Sequence, residues 1–279
     1  MADSNPTSLL AAPLLENALL WLDVFTIDLA RYLLGAGTVS FVLYITLRSF
    51  SESRRIQARR ASYSDICREI GNSVITVAVY ASVALFTVGL INSGNSMMYS
   101  ELRSFDVAYI PFSIVLLLVF HDAYFYWAHR LMHSRRLFRL FHRTHHMSRT
   151  PTPWAAYCFA IPEAFLMACF VPLVIQLLPV HSIALFTFLI IMIFRNAMGH
   201  SGIEFHPPGW VDSRWDFLTT VTHHDLHHQK FDGNYGLYFT WWDRWMGTER
   251  PEYKSTFRKV TNRDSLTSEA GSISMETGS

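Results

Sequence analysis

Thirteen histidines occur in this 279-residue chain, and nine of them crowd into three short windows. HRLMH carries His129 and His133, HRTHH carries His142, His145 and His146, and HHDLHH carries His223, His224, His227 and His228. On a helix, residues three or four apart project from one face, so each window reads as a claw for a metal ion. Imidazole suits zinc, copper, iron and nickel. A structural zinc takes four ligands and a catalytic one three plus water, so eight or nine imidazoles exceed the needs of one ion and imply two. A pH switch would need one or two histidines rather than three claws. A single HRLMH arises readily by chance; three windows together do not.

The remaining histidines read differently. His200, after Gly199, is a plausible ninth ligand. His206, before Pro207-Pro208, reads as a supporting or structural residue, and His181, in a turn, as a satisfied one. His121 lies about two turns before His129 on the same helix and with Asp122 is placed to orient ligands or line a substrate cavity. His223, one turn before His227, competes with His224. Asp122 and Asp225 are natural acceptors for imidazole N–H groups.

Membrane helices must position these windows. Hydrophobic residues make up 51% of the chain, aromatics 15% and charged residues only 16%, which argues against disorder and a charge-laced coiled coil. A net charge of +1 provides no field to recruit nucleic acid. Cys67, Cys158 and Cys169 form no CxxC, so neither a disulfide framework nor a thiolate zinc site is expected. About 20 apolar residues span a bilayer as helix. The sequence predicts spans at 29–47, 71–92 and 107–128, and a helical hairpin at 155–178 and 182–198, broken at Pro179-Val180-His181. Arg31 is expected to snorkel from the first span to the headgroups.

Arginines set the orientation. Arg48, Arg54, Arg55, Arg59 and Arg60 follow the first span, and Arg130, Arg135, Arg136, Arg139, Arg143 and Arg149 follow the third. Both groups then belong on the cytoplasmic side, with the segment after Arg195. The expected class is all-α: three spans plus a hairpin, with a cytoplasmic histidine-rich helical cap. Membrane helices occupy 1–120, a histidine-box region 121–260, and a Ser/Thr/Gly/Glu-rich tail, read as disordered, 261–279. The start lacks the basic region of a secretory signal peptide.

The runs HDAYFYWAHRLMH, HRTHH, GHSGIEF and HHDLHHQKFDGNYGLYFTWWDRWMGT resemble the fatty acid hydroxylase/sterol desaturase superfamily over about 121–248. The resemblance implies a non-haem di-iron centre that activates O2, held by His129, His133, His142, His145, His146, His224, His227 and His228. His200 matches a further histidine of sterol-acting members. Three residues between His129 and His133, where some fatty-acid hydroxylases have four, tilt the reading toward the sterol-type branch. No cytochrome b5-like segment is visible, so the implied electron donor is a separate carrier, cytochrome b5 or ferredoxin with its reductase.

The expected function is therefore O2-dependent hydroxylation or desaturation of a lipid in the bilayer, a sterol or a related lipid, with fatty-acyl, aminolipid and carotenoid substrates as alternatives. Phe125, Tyr126, Trp154, Tyr238 and Trp241 are candidates to shape the lipid cavity, although packing or interfacial anchoring also explains such residues. The membrane would be the bacterial inner membrane or the endoplasmic reticulum. Three rivals fare worse. A metal transporter expects ionisable residues inside the spans, and 71–92 has none. A zinc hydrolase expects HExxH. A non-catalytic remnant of the family would have lost ligands.

Overall fold

The computed structural model describes residues 6–263; the expected tail lies outside this range apart from its first residues. A long helix α1 (Pro6–Phe41) loosens into a π-helical stretch (Val42–Thr46) before α2 (Arg48–Ser53). Next come α3 (Tyr63–Asn92), α4 (Asp106–Met132), and the short α5 (Phe138–Phe141) and α6 (Arg143–His146). A 3-10 turn (Pro153–Tyr157) leads to α7 (Ile161–Ala168), α8 (Phe170–Leu177) and α9 (Ser182–Gly199). The polar α10 (Val221–Lys230), α11 (Trp241–Trp245) and α12 (Tyr253–Thr261) complete the described chain. The fold is all-α and multi-pass. Among the described residues, strand is confined to a two-residue parallel pair, Met98 with Val180 and Tyr99 with His181, which ties the loop after α3 to the α8–α9 turn.

Lipid offers no partners for backbone N–H and C=O groups, so a spanning segment must satisfy them within its own helix. Among the described residues four helices are long and apolar enough to do so: Leu14–Thr46, Tyr63–Asn92, Asp106–Met132 and Ser182–Gly199. The first begins 15 residues earlier than the sequence suggested, because Asp28 and Arg31 do not end it. They pair with one another at 3.0 Å, with the Arg31 side chain only 6% exposed. Arg31 therefore does not snorkel; it faces the protein interior. The first limb of the hairpin is likewise shorter than expected. Residues 153–157 form a 3-10 turn that opens on a Thr152 cap, leaving a short apolar helical run, Ile161–Leu177, against the spanning α9.

Local chemistry sets the ends of these helices. Ser62 opens α3 as a capping box: its hydroxyl accepts from the Asp65 N–H, and the Asp65 carboxylate accepts from the Ser62 N–H. α1 and α9 approach closely where Gly35 leaves room for Ile193; a Cβ there would meet Ile193 at 2.8 Å. The main core lies where α1, α3, α4, α7 and α9 meet, around Tyr32, Val77, Met132, Tyr157 and Ile193. The arginine-bearing segment after α1 folds over the end of this bundle. Ile56 donates to the Gly202 carbonyl at 3.0 Å, Glu204 N–H to the Arg54 carbonyl at 3.0 Å, and Gln57 to Asp225 at 3.0 Å. The loops after α1, α4 and α9 thus share one end of the bundle.

Candidate metal centre

At that end, nine histidines converge. Among the described residues the potential ligand nitrogens of His129, His133, His142, His146 and His227 lie within 4.8 Å of one another, as do those of His145, His200, His224 and His228. These are the nine positions singled out in the sequence, and the three windows are shared between two groups. HRLMH serves one group, whereas HRTHH and HHDLHH each serve both. Helical geometry explains the division. His142 and His146, or His224 and His228, are four apart and share a face, while the adjacent pairs His145/His146 and His227/His228 point about 100° apart. Each HH doublet thereby faces two centres from one short helix, with His145 and His146 ring centroids 5.7 Å apart and those of His227 and His228 5.8 Å apart.

Four elements aim these rings, His200 being held at the C-cap of α9. The last turn of α4 carries His129, and His133 follows at its C-cap. The break between α5 and α6 presents His142, whose backbone caps both. α10 begins at Thr220, whose hydroxyl accepts from the His223 N–H at 3.3 Å, and ends at Phe231 in a left-handed conformation. Glu204 holds the first turn of α10 by accepting from Thr222 N–H and Oγ1, at 2.8 and 2.7 Å. α12 closes over the helix, with Tyr253 and Phe257 packed on Leu226.

Outer hydrogen bonds fix the tautomers of five of the nine rings. The Nδ1 atoms of His129, His145, His200 and His227 face the carbonyls of Tyr235, Cys158, Asn196 and Gly233 at 2.9, 3.3, 2.7 and 2.7 Å. His142 Nδ1 faces Glu163 Oε1 at 2.6 Å. An oxygen acceptor requires Nδ1 to carry the proton, which leaves the Nε2 lone pair free. The Nε2 atoms of His129, His142 and His227 are buried without a partner among the described residues. Elsewhere Nε2 faces Nε2: His146–His133 at 3.1 Å, His145–His200 at 3.2 Å, His200–His224 at 3.0 Å and His224–His228 at 3.2 Å. Two nitrogens each about 2.1 Å from one ion and at right angles are about 3.0 Å apart. Convergent lone pairs at that spacing fit a shared cation.

Burial, and then the neighbouring imidazoles, holds His142, His145, His146, His224, His227 and His228 far below the usual histidine range. Burial takes His133 down to about 2 and His200 to about 4. All are neutral at physiological pH, the state a metal requires. Neither group contains a carboxylate.

Several supporting roles differ from the sequence reading. Asp122 does not reach a histidine; it accepts from the Tyr238 and Phe239 N–H groups and the Trp241 indole. Asp225 accepts from Gln57 and Gln229 instead. The carboxylate that hydrogen-bonds an imidazole of the two groups is Glu163, an acid just ahead of a long uncharged stretch. His223 joins neither group and lies 3.4 Å from Asp243. His206 bonds Glu204 at 2.7 Å, and His181 caps α9 through Ile183 N–H. The downstream run acquires a physical meaning through Asp243, which accepts from Tyr235 N–H, Gly236 N–H and the Thr248 hydroxyl at 2.8, 2.8 and 2.7 Å. That fixes the loop whose Gly233 and Tyr235 carbonyls orient His227 and His129.

A cavity of about 280 Å³ enters the bundle beside the histidines, lined by His121, Phe125, Phe159, Phe170, Phe188 and Met192 among others. The ring centroids of Phe125 and His129 are 5.0 Å apart and those of Phe159 and His145 5.3 Å, so the cavity lining touches one ring of each group. Of the five aromatics expected to line a lipid cavity, Phe125 does. Tyr126, Trp154, Tyr238 and Trp241 lie outside the lining; Tyr238 acts behind it, bonding His121 at 3.0 Å.

Comparison with known proteins bears on this arrangement. The fatty acid hydroxylase family model matches residues 114–248, which contain all nine histidines. A Delta(7)-sterol 5(6)-desaturase of Gibberella zeae is 28% identical over 230 residues, 79% of this chain and 69% of the relative. The lathosterol oxidase of Homo sapiens is 32% identical over 165 residues, 58% of this chain and 53% of the relative. Methylsterol monooxygenase 1 of Rattus norvegicus is 33% identical over 133 residues, 47% and 44% of the two chains. The chain thus spans about half the length of the latter two. No solved structure gives a significant match. Residues 114–248, which hold the whole histidine constellation, match the fatty acid hydroxylase family, and the sterol desaturases and oxidases among the relatives put the similarity on its sterol-type side.

Proposed function

We propose that the protein is an O2-dependent membrane oxidoreductase that hydroxylates or desaturates a C–H site of a lipid, a sterol or a close relative of one, with one iron ion in each histidine group. The carrying observation is two adjacent sets of buried, neutral imidazoles without carboxylates, placed against the end of an apolar cavity. Imidazole donors favour iron over magnesium or calcium. When bound, such ions supply the activation of dioxygen and the oxidising power to remove hydrogen from an unactivated carbon.

The chain's own residues do the rest. The Nδ1–H bonds to Glu163 and to the four carbonyls hold the rings in one tautomer and rotation, so the ligand set resists displacement. Phe125 and Phe159 close the inner end of the cavity, keeping bulk water from the ions and a lipid carbon beside them. The arginines on both loops support a cytoplasmic position for this end, where a separate carrier, cytochrome b5 or ferredoxin with a reductase, would deliver electrons. Sterol-acting relatives support the substrate class.

Expression in membranes with a reductase system, followed by lipid mass spectrometry, tests the reading. Hydroxylation adds about 16 Da and desaturation removes about 2 Da. An unchanged lipid profile from iron-loaded protein counts against the activity. Metal analysis showing copper, or a single ion per chain, counts against the iron pair.

A further inference from the structure

One wall of the apolar cavity is polar. Asp28 and Arg31, one turn apart on α1, line it with Tyr80 and Tyr157. The carboxylate and guanidinium pair at 3.0 Å with side chains 13% and 6% exposed, near the middle of the Leu14–Thr46 span. Charged side chains at membrane depth are costly, and those that persist characteristically face a cavity and mark a substrate path. Arg31 spends Nη1 on Asp28. Its Nε–H and the Tyr157 hydroxyl are buried; Arg31 and Tyr157 lie within interaction range of one another, but neither of these two atoms makes a hydrogen bond of good geometry among the described residues. Tyr157 is 1% exposed. Unmade bonds of this kind point to a polar ligand atom that completes them.

We propose that this wall receives the neutral hydroxyl group of the lipid, with Arg31 and Tyr157 donating to its oxygen and Asp28 accepting its proton in a hydrogen bond. The inference rests on the lipid-oxidising reading above and adds what selects and orients the lipid. Charge balance favours a hydroxyl over a carboxylate. Asp28 already neutralises Arg31, so an anionic headgroup would bring an uncompensated charge into a low-dielectric wall, whereas a hydroxyl both accepts and donates. The wall also lies close to the histidines. Tyr157 and Phe159 ring centroids are 6.4 Å apart, and Phe159 is 5.3 Å from His145, so two ring contacts link the hydroxyl seat to the metal groups. A rigid hydrocarbon skeleton held by its oxygen at one end would present a fixed carbon at the other, setting the position oxidised.

Equilibrium binding of cholesterol and of its 3-deoxy counterpart to the full chain in lipid nanodiscs tests this, and requires no metal. The wild type is expected to prefer cholesterol by about tenfold or more, since two or more hydrogen bonds distinguish the probes. Tyr157→Phe, which removes a hydroxyl that makes no well-formed hydrogen bond within the protein, is expected to cut that preference about three- to tenfold while leaving the deoxy probe unaffected. The Asp28→Asn/Arg31→Gln pair is expected to abolish it. Equal preference in wild type and Tyr157→Phe would overturn the proposal, as would tighter binding of a fatty-acid carboxylate than of cholesterol. The two readings fail separately. An enzyme that oxidises lipid with no hydroxyl preference loses this inference alone, and one that discriminates through Tyr157 yet leaves lipids unchanged loses the catalytic reading alone.

Discussion

The helices α4 and α10 meet at the histidines and are built on opposite principles. α4 is apolar yet exposes Val107, Phe112, Val115 and Phe120, with Val107 84% exposed. In α10 eight consecutive residues, Val221–His228, are buried, and six of them are polar. Lipid rewards the first arrangement directly, because α4 meets hydrocarbon outside and protein inside. Nothing in a solvent or a bilayer rewards the second; buried polar groups cost free energy unless partnered. On the proposed reading the bundle is stabilised by its surroundings, and the histidine cap by its internal hydrogen bonds together with the ions its rings would hold. Perturbations should sort by which of the two regimes they touch.

The largest effects belong at the rings. His145→Ala and His227→Ala remove one member from each group, and each is expected to abolish turnover and lower the iron bound per chain, measured by elemental analysis of purified protein. Full activity in either variant would break the assignment of two centres. Glu163→Ala comes next. It leaves His142 Nδ1–H without its acceptor, and loss of such outer partners typically costs 10–100-fold in metal affinity. Asp225→Asn, which touches Gln57 and Gln229 rather than an imidazole, should cost much less in chelator competition. Equal losses would mean that Glu163 acts through general packing.

Acid should separate the two regimes further. The cap histidines are held below the unfolded value of about 6.5, His200 to about 4. Below pH 6.5 the unfolded chain gains protons that the folded cap refuses, so stability present at pH 7.5 is lost progressively as pH falls toward 4. For metal-stripped protein, hydrogen exchange in α10 is expected to accelerate across that window while α3 and α4 stay protected. Uniform acceleration in all three helices would show that cap and bundle share one stability.

The same contrast explains what the sequence disclosed. Uncharged stretches such as 71–92 gave the spans because apolar length is a local property. The nine histidines were legible because clustered imidazoles have few other uses. Arg31 was misjudged because a charge near a span's end and one inside an internal ion pair look alike until Asp28 is seen beside it on the helix. Glu163 was missed because its role depends on α7 meeting His142 across a tertiary contact, and the division of HRTHH between two groups required the facing α4 and α10 rings. Partners distant in sequence leave no spacing to read.

Backbone changes at the loop that orients the cap should be intermediate. Gly233 has φ +73°, and a Cβ there would meet the Thr248 carbonyl at 2.5 Å; its own carbonyl orients His227. Gly233→Ala is expected to destabilise the cap by about 1–3 kcal/mol and to lower iron occupancy, read by thermal melts with and without iron. If the melting shift were the same in both, the loop would be structural only and not part of the ring-orienting shell.

The smallest effect should come from the lipid-facing side of α4. Phe112 is 56% exposed, and its ring meets hydrocarbon whether or not the helix is docked in the bundle. Phe112→Leu therefore exchanges one apolar surface for another, and stability in nanodiscs is expected to change by no more than about 0.5 kcal/mol, with iron content unchanged. The prediction is sharp because the same substitution in a water-soluble core would leave a void and cost more. A loss as large as that of Gly233→Ala would mean that this face is covered by protein rather than lipid, and the distinction between a bundle supported by its solvent and a cap supported by its ligands would no longer hold for α4.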